Sequence, residues 1–590
     1  MRIRAQQIVD SVIGTPKRRL VSGLVVAVAA LITIWLALGW VQTGQRALSF
    51  QQEANRFEAA LKDQDWNAAT EQFPELAASA QELGDSTRSL QWRLLSRVPL
   101  MGQSAKAVSA LGRSADDLAV AGEPLLPYAQ KLATERGRRA DGSIDLDLIA
   151  GMAPFLARFA DSVDAAQARL DGVSTAFLVP GLKSRFETAR AQATDIGQLV
   201  GHSVAAAAWL PSLLGSDSSR TWMVLLQNPA EARGSGGFPG AYVNVRSDNG
   251  KVRILESGTS EDVRKNVIPT TGVPTDSKDL WGPQLAKWSM FSRSAHFPLT
   301  GALAVADMRA RGVPVSGVLA IDPAVVAAML KAIGPISAKG ETITSENAEK
   351  FFTQDVYRKY PDSQKRDDVS MALVNAVVAA LLTKAWNPLD MAEALKAPLE
   401  QGHMRIWSEN PKEQAWLSST SLGGAVPTTP GPVVAVAENN SAPSKMDAFV
   451  KTSIDYSVGS CPTAQQQQSK LTVKVRNDAP TGLPQEGGNY GRTDVLGAPE
   501  GSTSMVLYIY APVGAGYLSS TLDGKTYGVY RGHERDREVW YLNLPIDRGQ
   551  ERAVSVTFNE PTVGGVAPRV LTQPMINQPV VQIASDAACN

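Results

Sequence analysis

The chain has 590 residues, 44% hydrophobic and 20% charged, with 58 basic against 58 acidic side chains. That length allows about three or four domains, and the apolar content is enough for real cores, which excludes a disordered stalk. A formal net charge of zero excludes a protein that coats polyanions by bulk phosphate neutralisation, so nucleic acid is not an expected partner.

Residues 1–19 form a basic head, in which Arg2, Arg4, Lys17, Arg18 and Arg19 stand against the single acid Asp10. The uncharged run Leu20 to Val41 follows. As a helix rising about 1.5 Å per residue, it reaches roughly 33 Å and spans a bilayer core. The positive-inside bias then keeps the N-terminus cytoplasmic and sends the rest of the chain outside. The rival is a cleaved signal peptide, whose apolar region would be about 7 to 15 residues and would end at a small-x-small site. This run is longer and ends in Trp40 and Val41, so 20–41 is expected to be a retained single-pass anchor.

Residues 44–211 carry apolar side chains at helical intervals, for example Phe50, Ala54, Phe57 and Leu61. Pro74, Pro99, Pro124, Pro127, Pro154 and Pro180 are expected to punctuate them, giving several antiparallel helices that serve as a spacer or packing domain.

The texture changes near Arg220. Ala241 to Arg246 and Lys251 to Glu256, joined through Asn249-Gly250, read as a β-hairpin. Ser316 to Ile321 reads as a buried strand, with Asp322 as N-cap and Pro323 as first residue of a helix closed by Gly334-Pro335. Thr344 or Ser345 opens a further helix, and Val369 to Leu382 is a buried one. Residues 215–415 are therefore expected to be an α/β domain. Residues 416–443 read as a Pro/Gly/Ser/Thr-rich linker. In residues 444–590, strand-like runs at Ala448 to Val458, Lys470 to Arg476, Thr503 to Ala511, Val539 to Leu544 and Ala553 to Phe558 suggest a β-sandwich-like domain. The fold class is thus multidomain α+β.

Cys461 and Cys589 are the two cysteines. On the outer side of a membrane they either form a disulfide bracketing the last domain, the favoured reading, or remain unpaired thiols. The four histidines show no ligand spacing, and no metal site is predicted from them.

The conspicuous local motif runs from Gln227 to Gly240. Gly234, Gly236 and Gly237 would let backbone amides approach a ligand, and Arg233 beside them could fork onto phosphate or carboxylate oxygens. Otherwise the glycines form a connection, with Glu231 and Arg233 a structural ion pair. It is neither a P-loop, lacking Gly-Lys-Ser/Thr, nor a dinucleotide fingerprint, since a strand follows. In the charged cluster 358–368, Arg358 and Arg366 either converge with Arg233 on a pyrophosphate or belong to a solvated loop. Asp322 and Asp367 are the candidate acids, and an acid there could hold a divalent cation; Asp322 is equally explained as a helix cap. The motifs of serine, zinc and cysteine hydrolases are absent from the sequence, and no catalytic residue can be assigned.

Trp92 to Gly102, Gln227 to Tyr242, Ser316 to Pro335 and the Asn439-Asn440 to Phe449 region resemble the bacterial membrane proteins of domain of unknown function 4012. The chain departs from that pattern at Pro239 and His296. In order and texture it is also similar to the LytR-CpsA-Psr enzymes, which attach polyprenyl-pyrophosphate-linked glycopolymers to the wall. That resemblance implies pyrophosphate roles for Arg358 and Arg366, although the enzymes' Arg-Ser-Asp-Thr motif is missing near Arg220 to Leu226. The resemblances imply a single-pass protein of the bacterial cell membrane with most of its chain extracytoplasmic. It is expected either to bind or transfer a lipid-linked glycan, or to act as a non-catalytic scaffold for wall polymer or partner proteins.

Overall fold

The computed structural model describes residues 42–61, 63, 65–98, 102–459, 465–484, 489–492 and 494–585. The basic head, the expected anchor 20–41, Cys461 and Cys589 lie outside the described residues. Among the described residues, no helix is long and apolar enough to cross a membrane. The chain divides into two compact units, Met1–Gly137 with Asp145–Pro211, and Arg138–Ile144 with Ser212–Asn590.

The first unit is helical, as its periodicity predicts. Its helices are 42–61, Trp66–Arg88, Leu90–Leu95, Gly102–Gly122, Leu126–Thr134, Leu146–Asp171 and the greater part of Pro180–Leu213. Asp65 and Asp145 cap two of them by accepting the Ala68 and Leu148 amides. Small residues let Trp66–Arg88 and Gly102–Gly122 approach closely: a Cβ on Gly84 would meet Asp116, and one on Gly112 would meet Thr87. Pro74 and Pro154 do not punctuate helices, since each lies inside one. Burial of Phe73 and Leu76 around the first, and of Ile149 and Leu156 around the second, keeps the helix continuous where its local hydrogen bonding is interrupted.

The second unit is built on three main sheets. β1 (Arg220–Arg233), β2 (Gly236–Asp248), β3 (Lys251–Thr259), β4 (Gly317–Ile321) and, after the two-stranded β5 (Ile336–Ala338) and β6 (Glu341–Ile343), β7 (Met404–Ser408) give a sheet of order β3-β2-β1-β4-β7. β1 and β4 are parallel, and the remaining neighbours are antiparallel. The expected hairpin is β2–β3, turning at Asn249 and Gly250 with φ of 45° and 81°. Asp322 caps the helix Pro323–Ile333 by accepting the Ala324 amide at 2.9 Å, and Gly334 ends it at φ 77°. The next helical turn begins at Ala348, later than expected, because Asn347 rather than Thr344 or Ser345 holds the N-cap position.

The C-terminal strands are β8 (Val433–Asn440), β9 (Val450–Val458), β10 (Gln466–Asn477), β11 (Thr503–Tyr510), β12 (Gly516–Leu522), β13 (Lys525–Thr526), β14 (Tyr530–Glu534), β15 (Arg537–Ile546), β16 (Glu551–Pro561), β17 (Arg569–Thr572) and β18 (Val580–Ser585). They form two sheets, β13-β12-β16-β10-β9-β18 and β14-β15-β11-β8-β17. One core between them holds Leu471, Val473, Leu507, Trp540, Val556 and Phe558.

Two sequence boundaries need correction. The segment 416–443 is no linker: it contains β8, every residue of which is buried. Val434 and Val436 face the sandwich core, whereas Ala435 and Ala437 join Met223, Leu225 and Trp288 in the α/β core. A strand covered on both faces reads as a short continuous apolar run, and the flanking prolines and glycines mask it. For the same reason, residues 215–415 and 444–590 are not separable layers; they pack as one unit.

Candidate functional site

β1 and β4 run side by side, and their last parallel pair is Leu226 with Ile321. Beyond it, β1 becomes irregular against β2, with shifts at Leu226/Gln227 and Asn228/Ala232, while β4 passes into Asp322. The space outside the carboxyl ends of parallel strands is where open α/β sheets receive ligands. Here it is a cleft of about 120 Å³. Leu226, Ile321, Val326, Phe352, Met371 and Val374 give it an apolar lining. Gln227, Asn228, Asp322, Tyr357, Arg366 and Asp367 give it polar groups.

Local structure places each of these. In the helix Ser363–Thr383, Arg366, Asp367, Ser370, Met371 and Val374 share the face toward the cleft, as a spacing of three and four requires. Arg366 lies over the Tyr357 ring, 5.0 Å from its centroid, and reaches the Tyr360 and Pro361 carbonyls only at 3.5 Å. Asp367 makes no hydrogen bond or ion pair with a described residue. Burial pushes its carboxyl pKa up, with Arg366 opposing the shift. Asn228 donates to the Phe352 carbonyl and the Tyr357 hydroxyl at 3.1 and 2.8 Å, tying β1 to the helical wall.

Both carboxylate oxygens of Asp322 have partners. Its Oδ1 caps the helix, and its Oδ2 meets Nδ1 of buried His403. Nε2 of His403 meets the Gln578 side-chain amide at 2.7 Å, which makes a Gln578–His403–Asp322 strut. Neighbouring Arg405 is buried, and burial pushes its pKa down to about 10 against the pull of Asp322.

Arg233 and the glycines lie elsewhere. Arg233 is 3% exposed and makes four hydrogen bonds: Nε to the Ser289 carbonyl at 3.2 Å, Nη1 to the Ala232 and Asn440 carbonyls at 2.9 and 3.2 Å, and Nη2 to Glu231 at 2.7 Å. Glu231 also pairs with buried Lys445. Burial opposes the Glu231 charge, but Lys445 and Arg233 together hold its pKa below the usual range. The Gly234 amide donates to Asn439 Oδ1 at 3.0 Å. A Cβ on Gly234 would overlap the Arg293 carbonyl, and one on Gly237 would overlap Asn228. These glycines therefore permit backbone-to-backbone packing, with Arg233 in an internal charge knot.

Of the residues proposed for an anion site, Arg366 lines the cleft with the acids Asp322 and Asp367, whereas Arg233, Gly234, Gly236 and Gly237 do not. Exposed Arg358 stands over the Tyr490 ring at 6.0 Å. Among the described residues, no group of three or more His, Cys, Asp or Glu gathers where it could hold a metal ion. Sequence reasoning missed Asn228, Tyr357 and His403. His403 lies 81 residues from Asp322, so no local spacing could announce their contact.

Fold and cleft together define an α/β sheet packed with a β-sandwich, with a small, mostly apolar cleft. Residues 217–357 match the family described as "Protein of unknown function (DUF4012)". That segment contains β1 to β4, Asn228, Asp322 and Tyr357, but ends before Arg366 and His403. No curated protein matches the chain. A solved structure from Legionella pneumophila subsp. pneumophila str. Philadelphia 1, described as that of a candidate nutrient binding protein, is 9% identical with a TM-score of 0.14. The match covers 21% of this chain and 42% of that one, too little to define a common fold.

Proposed function

We propose that the chain is a membrane-anchored cell-envelope protein whose cleft binds a sugar unit of an envelope glycopolymer without transferring it. The membrane reading rests on Leu20 to Val41 and its basic flank. The cleft reading rests on one observation: Arg366 and Asp367, a donor fork and an unpaired acceptor, stand side by side over an apolar floor. Adjacent sugar hydroxyls both donate and accept, and the ring's C–H faces are apolar, so this combination suits a saccharide. A pyrophosphate calls for several cations, and among the described residues one guanidinium lines this cleft. The LytR-CpsA-Psr likeness supports the envelope setting. Transfer is disfavoured because Asp322 has both carboxylate oxygens engaged and Arg358 stacks on Tyr490.

Calorimetric titration of the full chain in detergent with chitobiose, and separately with geranyl pyrophosphate, tests this reading. Saccharide binding that falls about tenfold in Arg366→Ala and Asp367→Asn, at unchanged melting temperature, is the expected result. Tight binding of the pyrophosphate with no response to chitobiose would restore the phosphotransfer reading.

A further inference from the structure

Of the segment Trp92 to Gly102, residues 92–98 and 102 lie in the helical unit and play no part in the cleft. There they border a cavity of about 300 Å³ lined by Arg93, Lys106, Arg113 and Arg169, with Trp92, Ser96 and Ser109 among its polar neighbours and no carboxylate among the described residues of the lining. Arg113 Nε and Arg169 Nη1 are buried and have no acceptor among the described residues. Asp117 offsets Arg169 only in part, because it also pairs with Arg88. Buried guanidinium donors without acceptors are costly, and an anion in the cavity would satisfy them.

A neighbouring cavity of about 320 Å³ shares Ser96 and Lys106 and adds Arg97, Val98 and Phe177. Phe177 is 66% exposed, so a charged cavity opens beside an apolar lip. The chain also places this site close to the expected anchor. The Trp92 indole N–H donates to Thr43 Oγ1 at 3.0 Å, and Thr43 is the second residue after Val41.

We propose that this basic cavity binds a phosphate group, specifically the headgroup phosphate of an anionic lipid, with acyl chain lying against Phe177 and Val98. The phosphate chemistry stands on the cavity alone; the lipid source rests on the membrane reading above.

Native mass spectrometry of the full chain in detergent, loaded with phosphatidylglycerol, phosphatidylcholine or glycerol 3-phosphate, separates the cases. Phosphatidylglycerol should be retained over phosphatidylcholine and weakened about tenfold by Arg113→Gln and by Lys106→Ala. Lys106 is exposed, so its variant keeps the test valid if Arg113→Gln unfolds. Phe177→Ala should weaken the lipid and spare glycerol 3-phosphate. Equal lipid retention by wild type and Lys106→Ala overturns the site. Glycerol 3-phosphate binding as tightly as the lipid overturns the headgroup source and leaves a soluble phosphate ester as the ligand. Alkaline carbonate extraction of the full chain from membranes judges the anchor separately, so a failed anchor is distinguishable from a failed cavity.

Discussion

Arg233→Ala is the most direct probe of how the second unit is held together. The substitution removes four hydrogen bonds at once and leaves the Ser289, Ala232 and Asn440 carbonyls without that donor. It also leaves buried Glu231 with Lys445 as its remaining cation. Each buried acceptor left without its donor costs about 1 to 3 kcal/mol, so the loss should reach about 3 kcal/mol or more even though Lys445 still neutralises Glu231. Arg233→Lys should recover little, since a point charge cannot reach four acceptors laid out for a planar fork. Glu231→Gln should be costly as well, because it strips both buried cations, Arg233 and Lys445, of the carboxylate they share. Urea unfolding followed by tryptophan fluorescence reads the result as a lowered midpoint at constant slope. A loss below about 1 kcal/mol is what an exposed ion pair would give, and it would refute the buried knot.

Gly234→Ala should destabilise the same region by about 1 to 3 kcal/mol, through overlap with the Arg293 carbonyl, and thermal melting would show it. Burial pushes the Asp447 carboxyl up to about 6 and that of Glu438 up to about 7. In that window the folded chain binds more protons than the unfolded one, so these groups make stability rise as pH falls from about 7 toward 4. Asp447→Asn and Glu438→Gln should flatten this slope in melts taken across that range, and an unchanged slope would refute the assignment. Protease added to intact wall-stripped cells should degrade everything beyond about Gln45; survival of the C-terminal strands would overturn the single-pass topology.

Much of the architecture was legible because its signals are local. The Asn249-Gly250 turn, the Asp322-Pro323 helix start and the alternation in β9 and β10 each depend on a few consecutive residues. β8 was not legible, because both faces are buried and turn residues flank it. β18 escaped for the opposite reason: all six of its residues are exposed, so no hydrophobic alternation is needed to hold it beside β9. The candidate site was legible in part. Asp322, Arg366 and Asp367 line one cleft without the expected Arg233 and Arg358, while Arg233 forms the ion pair with Glu231 that was the alternative to an anion site. Its acceptors, Asn440 and Ser289, come from distant segments, and sequence spacing is silent about them.

The engagement of Asp322 bears on the proposed reading of the cleft. A carboxylate that acts as acid, base or metal ligand must offer an oxygen to the reacting group, and this one caps a helix with one oxygen and receives His403 with the other. The histidine is held in turn by Gln578, which also donates to the Met575 carbonyl at 3.0 Å. Asn577, just before Gln578 in the chain, donates to the Ala448 and Val450 carbonyls at 3.1 and 2.9 Å and anchors the approach to β18. The strut therefore braces the end of β4 against the last strands of the sandwich. With Asp322 committed to that bracing, Asp367 is the carboxylate of the cleft lining left to meet a ligand, and its neighbour Arg366 is the cation. On the proposed saccharide reading, one acceptor and one donor fork at the mouth of an apolar cleft orient the ligand.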